Sequence, residues 1–315
     1  MFNFKTFNNI AEDGLDILRK NKFKEVSENP DGILLRSHNL LKEDFEDNLL
    51  CIARAGAGTN NIPKDDATKK GIVVFNTPGA NANAVKELVI CGMLLSSRGI
   101  VEGIEFAKNL DLEDSAGLNQ AMEAQKKTFA GNELAGKTLG IVGLGSIGSM
   151  LAQAAHTLGM KLVGYDPYIS IEGAWRLPRE VEKAETMEAL LQQSDYVSLH
   201  VPLVEDTKNL INESNLNKFK KGARLINLSR GGIVNTDDVI AELENGNLGR
   251  FVTDFPTPEL IKRSAEKNDV VLLPHLGAST KEAEINCAVM AANQMVNYLQ
   301  DGTILNSVNF PRISL

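Results

Sequence analysis

The chain reads as an α/β protein made of two doubly wound parallel-sheet domains, one inserted into the other. Three observations predict it. From Thr138 onward, six short runs are apolar without alternation: Thr138–Val142, Lys161–Tyr165, Tyr196–Leu199, Arg224–Leu228, Arg250–Thr253 and Val270–Leu273. Strands buried on both faces have this pattern, and a parallel sheet is where both faces are covered. Helical patterns such as Ile147–Leu158, Thr186–Gln193 and Thr236–Glu244 fill the gaps, which is the alternation of a doubly wound fold. A length of 315 residues suggests two domains, at about 100–200 residues each.

The first 85 residues repeat the theme in shorter form, with strand-like runs at Gly32–Arg36, Leu49–Arg54 and Ile72–Phe75. A helix beginning near Asn83 is expected to run to about Lys108. Residues 109–135 are polar, with an acidic run from Leu110 to Asp114, and read as an excursion from the core that could serve as a dimer arm. After His275 a helix over Thr280–Leu299 leads the chain back to the first domain. The expected division is therefore 1–85 with 281–315 as one domain and 86–280 as the other. A cleft between two such domains is the natural ligand site.

Composition narrows the class. The net charge of −8 gives no electrostatic reason to expect nucleic acid or an anionic membrane as partner. Cys51, Cys91 and Cys287 are scattered, with no CxxC and no His/Cys cluster, so neither a disulfide framework nor a metal site is expected. Residues 1–13 are polar and acidic instead of signal-like, and Leu88–Leu95 is too short to span a bilayer. A cytoplasmic location is the expectation.

The run Gly140-Ile141-Val142-Gly143-Leu144-Gly145-Ser146-Ile147-Gly148 is the most informative stretch. It lies between an apolar strand and a helix, the setting of a dinucleotide-binding turn. Gly143 permits the tight turn, Gly145 lets the backbone approach a pyrophosphate, and Gly148 lets helix and strand pack closely. The pyrophosphate would sit at the helix N-terminus. The next strand ends in Asp166, 18 residues past Gly148, close to the spacing of about 20 for a ribose-binding acid. A carboxylate there accepts from both ribose hydroxyls and repels a 2′-phosphate, and no Lys or Arg follows until Arg176. NAD is favoured over NADP.

Four histidines are present. His156 lies amid alanines on the helix after the glycine loop and reads as structural; His38 reads as a surface or supporting residue. His200 ends a strand in His200-Val201-Pro202, at the sheet edge where ligands bind, and suits pocket shaping as well as proton transfer. His275 follows the last strand in a Gly-containing loop, and its ordinary pKa of about 6.5 suits a general acid/base. Arg230, flanked by glycines after the strand Leu225–Leu228, can reach a carboxylate with a bidentate fork. Asp254 ends the next strand at the same edge and is a candidate for the nicotinamide end of a cofactor.

Nearly the whole chain resembles the D-isomer-specific 2-hydroxyacid dehydrogenases. The stretches that carry the resemblance are Arg54-Ala55-Gly56-Ala57-Gly58, Asn76-Thr77-Pro78-Gly79-Ala80-Asn81, the Gly143–Gly148 loop, His200-Val201-Pro202, Asn227-Leu228-Ser229-Arg230-Gly231 and Pro274-His275-Leu276-Gly277. The resemblance implies a Rossmann NAD-binding domain inserted into a flavodoxin-like substrate domain. It implies that Arg230 binds the substrate carboxylate and carbonyl, that His275 exchanges the proton, and that a glutamate orients His275. The family shows Glu-Pro after the Asp-ended strand; here Thr257-Pro258-Glu259 reverses it. A gap-free count from Arg230 assigns the role to Glu259, with Asp254 as the alternative. The implied cofactor set is Gly143, Gly145, Ser146, Ile147, Gly148, Asp166, His200, Val201, Pro202, Thr207, Leu228, Ser229, Asp254, Gly277 and Ala278, and a homodimer is implied.

Within the family, Gly32-Ile33-Leu34-Leu35-Arg36-Ser37 resembles the strand end of members that act on 3-phosphoglycerate in serine synthesis. Arg36 would pair with the phosphate, Ser37 would donate a hydrogen bond, N–H groups near Ala55 and Gly56 would hold the carboxylate, and Asn81 would lie nearby. Lys86 departs from the small residue expected there and would add a second positive charge near the substrate or face solvent. Asn306–Pro311 resembles the point where longer members continue into a regulatory domain, so a short form or a truncated chain is expected. Glycerate or hydroxypyruvate chemistry, or action on another phosphorylated hydroxy acid, is the alternative within the family. A non-catalytic NAD sensor is the alternative outside it, against which Arg230, Glu259 and His275 stand together.

Overall fold

A computed structural model of the chain describes residues 1–110 and 115–311. They form two compact units, Met1–Ala84 with Ala278–Leu315, and Val85–Gly277.

The first unit contains β1 (Asn3–Thr6), α1 (Glu12–Lys20), β2 (Lys24–Glu25), β3 (Gly32–Leu35), β4 (Cys51–Arg54), α2 (Lys64–Lys69) and β5 (Val73–Phe75). Then follow α3 (Ala82–Ser97), α4 (Ile100–Lys108) and α5 (Ser115–Gln125). The second unit continues with β6 (Thr138–Val142), α6 (Ser146–Thr157), β7 (Lys161–Tyr165), α7 (Ile171–Trp175), β8 (Val181–Lys183), α8 (Met187–Gln193) and β9 (Tyr196–Leu199). It ends with α9 (Glu213–Leu216), β10 (Ala223–Asn227), α10 (Thr236–Glu244), β11 (Leu248–Thr253), α11 (Pro258–Glu266) and β12 (Val270–Leu272), after which α12 (Lys281–Asp301) returns to the first unit.

Both sheets are wholly parallel. The first runs β2-β1-β3-β4-β5, the flavodoxin order. The second runs β12-β11-β10-β9-β6-β7-β8, the Rossmann order with one strand added. In such sheets a crevice opens where neighbouring strands feed helices on opposite faces. That point lies between β1 and β3 in the first unit, and between β6 and β9 in the second.

Alternation along each strand fills two core layers per sheet. In the first unit Phe4, Leu34, Ala53 and Phe75 face α12, which contributes Ala288, Ala291, Ala292 and Met295. Ile33, Leu35, Ile52 and Val74 fill the other side. Each fully buried Leu or Ile contributes roughly 1.5–3 kcal/mol. Helices α1 and α12 touch closely enough that a Cβ on Gly14 would lie 2.8 Å from Ala288. The open edge of β5 is covered by the segment after α12: Val308 N–H donates to the Val74 carbonyl, and Asn309 accepts from Val74 N–H and donates to the Ile72 carbonyl. A covered edge is protected from pairing with other chains.

One sequence expectation needs correction. The helix expected from Asn83 to Lys108 is broken between Ser97 and Ile100. There Gly99 lies against Phe129, its N–H donating to the Phe129 carbonyl. The excursion holds α5 and a short 3₁₀ turn over Lys126–Phe129, with no buried residue in either or in α4; residues 111–114 of its acidic run lie outside the described residues. The two units divide at 84/85 and 277/278.

Candidate functional site

In the second unit, β6 delivers Gly143 at the switch point with φ of 91°, in the left-handed region that glycine adopts freely. A Cβ there would lie 2.6 Å from the His200 carbonyl oxygen, so strand β9 and the glycine turn could not both keep their places. A Cβ on Gly148 would lie 2.1 Å from the Gly143 carbonyl oxygen, which fixes helix α6 against the turn. Gly145 differs: a Cβ there would meet nothing within 4 Å. Gly145 is the N-cap of α6 and makes no side-chain cap bond, which leaves first-turn N–H groups, Ser146 and Ile147 among them, directed out of the helix. That open, donor-lined space fits a pyrophosphate.

Asp166 closes the turn from the other side. Its Oδ2 accepts from Leu144 N–H at 2.8 Å and its Oδ1 from Tyr168 N–H at 2.9 Å. Each oxygen keeps a second lone pair for a ribose hydroxyl. The next loop is held by Thr207, whose hydroxyl donates to the Pro202 carbonyl at 2.5 Å and accepts from Val204 N–H at 2.9 Å.

His200 sits between the two loops. Its Nε2 lies 2.8 Å from the Ser198 hydroxyl, and its Nδ1 is buried with no partner among the described residues. Burial lowers its pKa from 6.5 to about 4, so the ring is neutral at pH 7 and a weaker base than an ordinary imidazole. Of the two roles open in the sequence, pocket shaping is the one this environment suits.

The strands β10 and β11 and the loop after β12 bring three polar groups together. Arg230 follows β10 and is exposed; its guanidinium donates to the Ser229 carbonyl at 2.6 Å. Asn227 sets this turn, donating to the Arg230 carbonyl at 2.8 Å and accepting from the Ser229 hydroxyl at 3.0 Å. Leu228 beside it is buried. His275 is exposed, with φ of 51°, its N–H on the Leu273 carbonyl and its ring edge-on to Phe255 at 5.0 Å. A non-glycine residue in the left-handed region costs of order 1 kcal/mol or more and needs surrounding structure to hold it.

Asp254 lies beneath both, only 1% exposed. Its Oδ2 accepts from Gly277 N–H at 3.2 Å, and its Oδ1 is buried without a partner among the described residues. Burial raises its pKa, against the Gly277 hydrogen bond and the charges of His275 and Arg230, which favour the carboxylate. Glu259 is elsewhere. It occupies the first turn of α11, exposed, and its pKa is lowered by its own backbone N–H and by the Thr257 hydroxyl. It makes no hydrogen bond to His275. Thr257 caps α11 and Pro258 opens it, one residue before the carboxylate, so Glu259 lies on the first turn of a helix. The sequence-based pairing of Glu259 with His275 is not formed here, and Asp254 is the carboxylate beside the Arg230 and His275 turns.

In the first unit, the turn Arg36-Ser37-His38 follows β3 at the switch point. All three N–H groups converge on Asn8 Oδ1, at 3.3, 2.9 and 2.7 Å. Asn8 follows β1 with φ of 69°, a conformation Asn tolerates better than most residues. Arg54 ends β4 in register with Leu35; its Nε donates to the Arg36 carbonyl at 2.9 Å and its guanidinium also reaches the Gly58 carbonyl. The N–H groups of Ala55 and Gly56, expected to hold a carboxylate, already donate to the Leu35 and Arg54 carbonyls at 2.8 and 2.9 Å. Those of Ala57 and Gly58 make no hydrogen bond among the described residues. Arg36 pairs with Glu284 of α12 at 2.6 Å. Asn81 immediately precedes α3, Lys86 is 17% exposed with its ammonium 3.9 Å from Glu87, so it does not face solvent, and Ala278 opens the returning segment.

Sequence reasoning therefore missed Asn8, Asn227 and Arg54. Each is a polar residue within one or two positions of a buried strand's carboxyl end, which is the signal that could have found them.

Residues 97–277, just over half of the chain, match the family model described as "D-isomer specific 2-hydroxyacid dehydrogenase, NAD binding domain". The D-3-phosphoglycerate dehydrogenase of Bacillus subtilis (strain 168) is 32% identical over 100% of this chain and 60% of its own length. The hydroxypyruvate reductase of Thermotoga maritima is 36% identical over 85% of this chain and 84% of its own. Among solved structures, NAD+-bound 3-phosphoglycerate dehydrogenase from Entamoeba histolytica has a TM-score of 0.76 and 26% identity, over 99% of each chain. The chain spans 50–60% of the length of the first phosphoglycerate dehydrogenases it matches. It belongs to the D-isomer-specific 2-hydroxyacid dehydrogenase family, and residues 97–277 are its NAD-binding domain.

Proposed function

We propose that this chain oxidises D-3-phosphoglycerate to 3-phosphohydroxypyruvate with NAD, the opening reaction of serine synthesis. The observation that carries the reading is the Arg36 turn. Asn8 fixes the backbone of the turn that carries Arg36 at the switch point of the first unit, and the Arg36 guanidinium, still 35% exposed beside Glu284, is open to a substrate phosphate. Relatives of that name at 32–37% identity over 90–100% of this chain support it.

NAD, when bound, supplies the hydride acceptor. Gly145 leaves room for its pyrophosphate, Asp166 takes the ribose hydroxyls, and neutral His200 lines the pocket. Arg230 clamps the substrate carboxylate and polarises the oxygen on C2. His275 accepts the hydroxyl proton as hydride leaves C2, so two electrons and one proton go to the cofactor as hydride and the second proton to imidazole. Asp254 stabilises the imidazolium and holds the His275 loop through Gly277.

We also propose a homodimer, on the side chains that α4 and α5 leave uncovered: Val101, Ile104 and Met122 are each 42–48% exposed, and association would bury them. Light scattering on the purified protein tests this. Cys51, Cys91 and Cys287 are free thiols, which suits a reducing cytoplasm.

The deciding assay follows NADH absorbance with 3-phosphohydroxypyruvate beside hydroxypyruvate, pyruvate and 2-ketoglutarate. Oxidation specific to the phosphorylated acid is expected. Turnover on hydroxypyruvate alone would overturn the substrate and favour the second reading, hydroxypyruvate reduction. That reading draws on the Thermotoga relative, of which this chain spans 84%.

A further inference from the structure

Two guanidiniums meet at the carboxyl edge of the five-stranded sheet, and they are engaged differently. Arg54 donates to carbonyls of the two turns beside it, at Arg36 and Gly58, and so ties them together. Arg36 projects from a turn whose backbone is fixed by Asn8, and its guanidinium meets Glu284 Oε1 at 2.6 Å. Both side chains remain partly open, 35% exposed for Arg36 and 46% for Glu284. Glu284 is itself held in place, because it lies in the first turn of α12 behind the Thr280 cap and donates its N–H to the Thr280 carbonyl. A carboxylate on a guanidinium occupies the same donor face that a phosphate monoester requires.

We propose that Glu284 is a built-in competitor for the anionic group that Arg36 takes from the substrate, and so sets the preference between phosphorylated and unphosphorylated acids. This rests on the role given to Arg36 above. An acid without phosphate leaves the Arg36–Glu284 pair intact. A phosphorylated acid has to displace Glu284 or share Arg36 with it, and it brings two negative charges beside a third. The pair thus weakens phosphate binding while keeping Arg36 ordered between turnovers. Exposed pairs of this kind are worth about two- to five-fold in an equilibrium constant.

The test compares wild type, Glu284→Gln, Arg36→Ala and the double variant. Inorganic phosphate is titrated calorimetrically, and KM is measured for 3-phosphohydroxypyruvate and hydroxypyruvate. Glu284→Gln is expected to tighten phosphate binding by about two- to five-fold. The ratio of the hydroxypyruvate KM to the phosphohydroxypyruvate KM rises by the same factor. In the Arg36→Ala background the substitution has no effect on phosphate, since no guanidinium is left to release. Unchanged or weaker phosphate binding in Glu284→Gln overturns the proposal and makes Glu284 idle or a support for Arg36. Wild type that turned over hydroxypyruvate alone would overturn the substrate reading, not this one; the phosphate titration would then decide Glu284 by the same criterion.

Discussion

The Ser198 hydroxyl and His200 Nε2 lie 2.8 Å apart at the end of β9, and they are the only polar contact this imidazole makes among the described residues. Burial lowers the His200 pKa from 6.5 to about 4. Between those values the unfolded chain binds the proton and the folded one does not, so stability rises with pH across pH 4–6.5. Acidification through that window is expected to cost about 3 kcal/mol from this group, fully lost near pH 4. Urea titrations at several pH values check it: His200→Gln removes this part of the slope. An NMR titration placing the His200 pKa near 6.5 would contradict the burial argument.

The glycines of the turn have separable roles. Gly145→Ala is expected to fold with nearly unchanged Tm and to weaken NADH binding by tenfold or more, on the order of 1.4 kcal/mol, because its Cβ enters open space meant for ligand. Gly148→Ala is expected to destabilise the protein by about 1–3 kcal/mol or more, the range for overpacking a tight contact, since its Cβ would press on the Gly143 carbonyl oxygen. Melting curves and NADH fluorescence titrations separate the two. Equal Tm losses would remove the distinction.

Asp166 is tied to the glycine turn by the hydrogen bond it accepts from Leu144 N–H. Asp166→Ala is expected to raise the NAD KM about tenfold while narrowing the preference over NADP, because a carboxylate that repels a 2′-phosphate is gone. Steady-state kinetics with both cofactors measures it. An unchanged NAD-to-NADP ratio would show that another group discriminates.

Asp254 and Glu259 make opposite predictions. Asp254→Asn is expected to lower kcat/KM by about 10²-fold or more, the range for general acid–base groups, without lowering Tm, because the variant no longer buries a charge. Glu259→Gln is expected to change kcat/KM by less than tenfold and to act mainly on α11. The split of the effect between kcat and KM is the diagnostic readout, since only the carboxylate beside His275 acts on the proton-transfer step. A larger effect from Glu259→Gln would return that role to Glu259.

Much of the fold was legible because its strands are buried on both faces: Thr138–Val142 and Lys161–Tyr165 were read to the residue. Strand β1 was not, since Asn3-Phe4-Lys5-Thr6 carries one apolar residue and pairs mainly by backbone. Nor was β8, whose Val181-Glu182-Lys183 lies at a sheet edge and tolerates charge. At the site, glycines and charged residues announced themselves through chemistry that few other positions need. Asn8 did not announce its partners, because it gathers N–H groups from a turn 28–30 residues away. Glu259 was placed by counting along a loop, and in the structure it stands on the first turn of α11.

The core layer facing α12 joins Phe4, Leu34, Ala53 and Phe75 to side chains from Cys287 to Leu299. Residues from the first quarter of the chain therefore wait for its last tenth. As the polypeptide leaves the ribosome, the contiguous unit Val85–Gly277 can close first, while the earlier-made strands still show one greasy face. Folding here runs out of the order of synthesis, against the usual amino-terminal-first sequence of domains. A ribosome stalled before α12 emerges would hold a finished nucleotide-binding unit attached to an unfinished, aggregation-prone one. The window for chaperone engagement is thus set by where a single helix lies in the gene.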